Sequence, residues 1–408
     1  GHGEAVPFGD SSGQTNVPTR SIVPAGPGRP VGEIGQATET LGRDRHARPF
    51  VGTEKNLTTG RKWWIFQRLA LWDRRSMRIS HYFEWERWIT GGHKQSVKNQ
   101  RTMLDRAGIE YTTRPDPTAD LLHLNNMGPR SVVAAKRASR AGTPVLIHTH
   151  QTAEDFAGSF AFSDVLAGPL RPYLEYAYDL GDHLVCPSAY NQRTIRGYTD
   201  TPSTVISNGY DPEKIAGHET LREEYLDRYD LSPPVVFNVG HVIPRKGLEA
   251  FIETARALPD LDFAWFGFLN PTGGTLDRLL RSRETERLVE NAPENVTFTG
   301  YVEDIRGAYA AGDVFFFPTH NENEGMALLE AMAAGKPPVV RDIETFEWLE
   351  DGQDCLKAET DFVAAIETLR DPDRRETIGE RARDRSEAFT LDAVQSDLVE
   401  LYEGLVGE

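Results

Sequence analysis

The chain of 408 residues is long enough for two domains with full cores, and it carries a formal net charge of −17. That charge excludes a general nucleic-acid binder, which needs net or clustered positive charge. No apolar run approaches the length of a membrane span, and the two cysteines, Cys186 and Cys355, fall in or near apolar segments and read as buried thiols rather than a disulfide.

Residues 1–76 are rich in Gly, Pro, Thr and Arg at first and show little periodicity. They read as a disordered leader or a non-native extension. Gly1-His2 reads as a tag remnant, and Met77 as an alternative start. The opening residues are polar and lack the apolar centre of a signal peptide, which points to a cytoplasmic protein. The competing reading of the leader rests on Arg61-Lys62-Trp63-Trp64 through Trp72, where tryptophans among cations suit a membrane interface.

From residue 78 onward, strand and helix patterns alternate. Strands are expected at 78–83, 120–124, 144–149, 183–186 and 203–206, with helices at 93–107, 130–141 and 188–196. A second series gives strands at 235–239, 261–266, 295–299, 313–317 and 337–340, again with helices between. Two such series predict an α/β protein of two Rossmann-like domains. The expected division is 77–206, 207–385 and a C-terminal helix within 386–408. That helix carries Val394, Leu398, Leu401 and Leu405 on one side. The link between the domains contains the turn signal Asn208-Gly209.

In the first domain, Thr90-Gly91-Gly92-His93 joins a strand to a helix. The glycine pair allows a tight turn with N–H groups facing a phosphate or sugar, although most glycine pairs are plain turns. Lys94, Lys98 and Arg101 then recur on one helical face. Such a stripe is usually a solvated face. In so acidic a chain it can attract an anionic headgroup, and Lys136, Arg137 and Arg140 extend the patch. His148 and His150 alternate at a strand end, so one of them can enter a cleft. A lone His such as His123 is more often a core residue.

In the second domain, Gly240-His241-Val242-Ile243-Pro244-Arg245-Lys246-Gly247 follows a strand, where parallel sheets bind ligands. Arg245 and Lys246 sit at a helix start, against the helix dipole, which suggests a compensating anion. They suit the stabilisation of a departing diphosphate. A strand ending at Gly300-Tyr301-Val302 reads as a second ligand-side loop, or as an ordinary transition. Glu322-Asn323-Glu324-Gly325-Met326 then leads into a helix carrying Glu330. Gly325 beside a helix start opens free N–H groups to a diphosphate, Glu330 lies within reach of a ribose, and Glu322 within reach of a sugar. Two solvated glutamates on an ordinary helix are the bland alternative. No Ser–His–Asp array, Cys/His metal spacing or P-loop is present. Asp371-Pro372-Asp373 falls in a turn, so no metal is expected.

The run from Glu322 to Glu330 resembles the E-x7-E motif of retaining GT-B glycosyltransferases of the family 4 type. Its E-N-E-G-M form looks most like the diacylglycerol glucosyltransferase branch. Gly240-to-Gly247 resembles the family's G-R-x(4)-K-G element, with His241 in place of the usual arginine, and Asn208-Gly209-Tyr210-Asp211 resembles its N-G-V-D link. The resemblance implies a GT-B fold with the C-terminal helix crossing back, Glu322 on the donor sugar, and Glu330 on the ribose. It further implies that the Tyr301-Val302 backbone reads the base, that His150 lies near the sugar, and that Gly91 and Gly92 line the cleft. The implied reaction is transfer of a hexose, with retention, from a nucleoside diphosphate sugar such as UDP-glucose, without metal and by a front-face route. The acceptor is a glycerolipid on an anionic membrane or a soluble sugar or polysaccharide. His241 also leaves room for a catalytically silent sugar-nucleotide sensor. Strong acidity with Arg outnumbering Lys resembles proteins of salt-loving archaea; a GC-rich genome accounts for the same Arg bias.

Overall fold

The computed structural model describes residues 77–156, 163–268 and 283–407, all within one compact unit, Thr59–Glu408. The leader and its tryptophan-rich segment lie outside the described residues. The first lobe is a parallel sheet of β1 (Arg78–Tyr82), β2 (Glu110–Thr112), β3 (Leu121–Leu124), β4 (Val145–His148), β5 (His183–Cys186) and β6 (Ser203–Val205), in the order β2-β1-β3-β4-β5-β6. The second is a parallel sheet of β7 (Val235–Val239), β8 (Asp262–Phe266), β9 (Val296–Gly300), β10 (Val314–Phe317), β11 (Pro338–Arg341) and β12 (Leu356–Ala358), in the order β12-β11-β10-β7-β8-β9. Both are Rossmann-like domains with helices on the two faces of a parallel sheet, as expected from the alternation of elements.

The central strands are apolar almost throughout because helices cover both faces. Val236, Phe316 and Val339 pack into one cluster on one side of the second sheet, while Phe237, Phe315 and Val340 pack into another on the opposite side. The chain reverses its direction of travel across each sheet between β1 and β3, and again between β7 and β10. Loops leaving the carboxyl ends of strands at such reversals form a crevice. The segments after β1, β7 and β10 are therefore placed to bind a ligand.

Six helices matter to the site: α1 (Gly92–Ala107), α2 (Pro129–Ala141), α3 (Ala189–Ile195), α4 (Leu248–Ala257), α5 (Met326–Ala333) and α6 (Leu391–Gly407). Helix α6 completes the core of the first lobe. Leu391, Val394, Leu398 and Tyr402 are buried among Ile79, Leu104, Leu121, Leu146 and Val185. The chain thus passes between the lobes twice, side by side, with Tyr210 N donating to Phe389 O at 3.0 Å and Leu391 N to Tyr210 O at 3.0 Å. Cys186 and Cys355 are both buried free thiols. The Asp371 carboxylate accepts from Asp373 N at 3.0 Å and caps the helix Pro372–Ser386, which gives Asp371-Pro372-Asp373 a structural role.

Candidate active site

The loop after β7 and the loop after β10 pack back to back. Gly247 has φ of 81°, and a side chain there would place its first carbon 2.2 Å from Pro318 O; only glycine fits. That contact aligns Lys246 with Glu322. The two form a close ion pair, Thr319 Oγ1 donates to Glu322 Oε1 at 3.1 Å, and the ammonium sits 5.4 Å above the Phe317 ring. Glu322 is only 8% exposed, so its charge depends on Lys246 for compensation. Arg245 is oriented by donation from Nη1 to Asn321 O at 2.6 Å.

Helix α5 begins at Gly325, whose φ of 93° lies in the left-handed region. No side chain caps its first turn, and the helix dipole makes that end attractive to an anion. One turn on, Glu330 is half-buried and accepts from the Tyr309 hydroxyl at 2.7 Å. Burial raises its pKa, while the Lys214 charge and the Tyr309 bond lower it. Tyr301 is 64% exposed and stacks on Phe268 at 4.6 Å between ring centroids, with Val302 buried beside it.

The first lobe meets these loops with its glycine pair. A side-chain carbon on Gly91 would lie 3.0 Å from His241 Cε1, and one on Gly92 would lie 3.8 Å from Met326 Sδ. Thr90 Oγ1 is 3.5 Å from His241 Nε2. Gly91, Gly92, Gly240, His241, Gly325 and Met326 therefore converge from three loops. Burial drives the His241 pKa down to about 4, assisted by the charges of Lys246 and Arg245. His241 is a neutral imidazole at neutral pH, and positive charge on this side comes from Lys246 and Arg245.

His150 belongs to a column of five imidazoles that the motifs do not foreshadow. It stacks on His148 at 4.1 Å and meets His93 at a tilt of 36°, 4.3 Å away. His123 lies 5.8 Å from His148, and His81 lies 4.9 Å from His123. Gln100 ties the column together through His81 Nε2 at 2.8 Å and His148 Nδ1 at 3.1 Å, and His123 Nδ1 meets the Tyr402 hydroxyl at 2.7 Å. Burial is the first cause of a lowered pKa in all five. The values are about 4 for His81 and His93 and about 3 for His148, with His123 and His150 well below the usual range. His150 is thus a neutral imidazole held between His148 and His93.

The residues flanking Glu322 reach across to the first lobe. Tyr190 OH donates to Asn321 Oδ1 at 3.1 Å. Ser188 Oγ donates to Asn323 O at 2.5 Å and Asn191 Nδ2 to Asn323 Oδ1 at 2.6 Å, while Asn323 Nδ2 donates to His150 O at 3.2 Å. Asn208 N donates to Glu324 Oε2 at 3.1 Å, and Ser96 in turn bonds Asn208 Oδ1. Burial raises the Glu324 pKa to about 7 against the opposing bonds from Ser207 and Asn208. Asn321, Asn323 and Glu324 thus hold the loop to the first lobe, while Glu322 turns into its own. Reading the sequence found the Glu322 loop and missed these partners, because Ser188, Asn191 and Asn323 carry no local signal.

The basic stripe on α1 is shorter than expected. Arg101 forms a bidentate pair with Glu86, at 2.6 and 3.0 Å, so its charge is spent within the lobe. Lys98 is exposed and Lys94 half-exposed. Lys136, Arg137 and Arg140 are exposed on α2.

Residues 90–214 match the family model described as Glycosyltransferase Family 4, and residues 233–371 match the one described as Glycosyl transferases group 1. The chain is similar to the processive diacylglycerol alpha-glucosyltransferase of Acholeplasma laidlawii, with 33% identity over 66% of this chain and 80% of that one. It is also similar to the alpha-galactosylglucosyldiacylglycerol synthase of Streptococcus pneumoniae, with 26% identity over 77% of this chain and 85% of that one. Among solved structures, Anabaena HepE in complex with UDP-glucose superposes with a TM-score of 0.63 at 18% identity, covering 80% of this chain and 100% of that one.

Proposed function

The chain belongs to glycosyltransferase family 4 and is a GT-B glycosyltransferase, and we propose that it transfers glucose, with retention, from a nucleoside diphosphate glucose to a glycerolipid hydroxyl. The relative that is 33% identical is by name a diacylglycerol alpha-glucosyltransferase, which motivates both the sugar and the acceptor. UDP-glucose is the donor of first choice. The observation that carries the reading is the meeting of Lys246, Glu322 and the open start of α5 beneath Gly91 and Gly92.

The E-x7-E assignment gives each group a role. Glu330 accepts from the ribose hydroxyls, with Tyr309 holding its carboxylate in place. The first turn after Gly325 and the Lys246 ammonium hold the diphosphate. Glu322 and His150 hydrogen-bond the sugar, and Tyr301 and Val302 border the base. The bond between the sugar C1 and the diphosphate oxygen breaks. The acceptor oxygen bonds to C1 on the same face, and its proton passes to the departing phosphate oxygen. Lys246, Arg245 and the α5 terminus offset the charge that develops there; no metal is invoked. A neutral His150 donates or accepts a hydrogen bond without competing for the diphosphate. Lys94, Lys98 and the exposed cations of α2 favour an anionic membrane surface, which makes the protein peripheral. No helix among the described residues is long and apolar enough to cross a membrane.

Incubation of the protein with UDP-glucose and diacylglycerol in phosphatidylglycerol vesicles tests the reading. Formation of alpha-glucosyl diacylglycerol, identified by NMR of the anomeric proton, supports it. Transfer only to soluble sugars moves the acceptor class. Nucleotide binding without transfer or hydrolysis favours a sensor, the reading that His241 motivates.

A further inference from the structure

The turn between β1 and α1 displays two large aromatic side chains that the catalytic reading does not use. Trp88 is 77% exposed and Trp85 is 51% exposed. Presenting them to water is unfavourable, and exposed aromatic pairs of this kind mark contact surfaces. The backbone that carries them has a defined geometry. Trp85 has φ of 60°, a conformation that costs a bulky residue free energy, and its carbonyl accepts from Trp88 N at 2.8 Å.

Two carboxylates anchor the turn on either side of Trp85. Glu84 is buried and accepts from Ser131 N at 2.7 Å and Arg130 N at 3.2 Å at the start of α2. Glu86 is paired with Arg101 of α1, and Lys94 stands near enough to lower its pKa further. Both acids are thereby compensated within the protein. Arg87 and Arg130 are exposed, and Lys94 is half-exposed. In a chain of net charge −17, this turn is a local aromatic and cationic tip. Its far end, Thr90, reaches His241 in the cleft.

We infer that the Trp85–Trp88 turn is a membrane anchor that inserts its two indoles into the headgroup region of an anionic bilayer. Indoles settle at the boundary between headgroups and acyl chains, and the surrounding cations meet anionic phosphate. A neutral sugar would need the aromatic faces but not the cations. Anchoring at this point sets the opening beside Gly91 and Gly92 against the lipid surface, so that an acceptor hydroxyl at headgroup depth reaches the donor. The inference rests on the glycerolipid reading and names the surface that delivers that acceptor.

The test uses the full chain, the W88S variant and the W85N/W88S variant, Asn being tolerant of positive φ. Affinity for phosphatidylglycerol vesicles is measured by co-sedimentation. Quenching by acyl-brominated lipid is measured for wild type against W88S, since the difference reports Trp88 among the seven tryptophans. Transfer to a short-chain diacylglycerol below its micellar concentration is measured in parallel. The expected result for W85N/W88S is a loss of about tenfold or more in vesicle affinity, from two half-buried indoles. The brominated-lipid quench falls in W88S, and transfer to the short-chain acceptor stays within about twofold. If wild type binds vesicles and glucosylates diacylglycerol while both variants bind as tightly with an unchanged quench, the anchor is overturned and the lipid acceptor stands. If wild type neither binds vesicles nor uses diacylglycerol, the acceptor reading fails and takes the anchor with it. If the variants lose transfer to a soluble sugar with vesicle binding intact, the turn is a carbohydrate platform and the anchor is again overturned.

Discussion

Glu330 shows how a single side chain can be committed to a ligand. Its neighbour Tyr309 is fully buried and donates to it, so the carboxylate is oriented before any nucleotide arrives. A preset acceptor loses little freedom on binding. Replacing Glu330 by Ala is expected to weaken UDP-glucose binding by about tenfold to a hundredfold, the range for hydrogen bonds to a charged group. Isothermal titration checks this; unchanged affinity removes Glu330 from the nucleotide site. The motif identified Glu330 because its spacing from Glu322 is local. It could not identify Tyr309, whose contact depends on the packing of two helices.

At the scale of elements, the loop from Asn321 to Glu324 belongs to both lobes. Asn321 and Asn323 bond the first lobe and Glu324 bonds the link at Asn208, while Glu322 between them pairs with Lys246. Glu324 gives this joint a pH dependence. Its folded pKa, about 7, lies above the ordinary carboxylate value, so the folded state holds the proton more tightly than the unfolded chain does. Stability therefore falls as pH rises from about 4.5 to about 7, and the loss is complete above that window, on the order of 3 kcal/mol. The E324Q variant removes the ionisation. It is expected to melt at a higher temperature than wild type at pH 8, with the advantage shrinking towards pH 4.5. Calorimetry across that range checks it; a constant offset contradicts the account.

The same scale shows what a sequence conveys about elements. Apolar runs such as Val235–Val239 and Val314–Phe317 announce central strands because helices cover both faces. The edge strands β2 and β12 have three residues each and carry no such run, so they went unread. Helix α6 was legible from its apolar spacing, and its place on the first lobe came from family resemblance. The histidine column was not legible. Its members sit on β1, β3, β4, the loop after β4 and α1, and only sheet register brings them together; His81 lies directly beside His123.

For the molecule as a whole, that column sets the response to acid. All five folded pKa values are depressed, so the folded state stays unprotonated while the unfolded chain takes up protons. Stability from these groups is complete above about pH 6.5 and is lost as pH falls, through about 4 for His81 and His93 and at lower pH still for His148. Unfolding at pH 5 is expected to bind about four to five protons through these histidines. Comparing calorimetric enthalpies in buffers of different ionisation heat measures the total uptake, to which His241, with its pKa of about 4, adds about one more proton. An uptake near zero would mean the column is already charged in the folded state. Glu324 acts in the opposite direction over part of this range, releasing protons on unfolding, so the histidine contribution is read from the E324Q background.

The two lobes are joined by two adjacent chain crossings and by the shared Glu322 loop, and the proposed chemistry depends on what meets between them. The most direct measurement is a crystal structure of the protein with UDP-glucose. The expected density places the ribose on Glu330, the diphosphate between Lys246 and the first turn after Gly325, and the glucose beside Glu322 and His150. A nucleotide bound away from Lys246 and Glu330 would contradict the account.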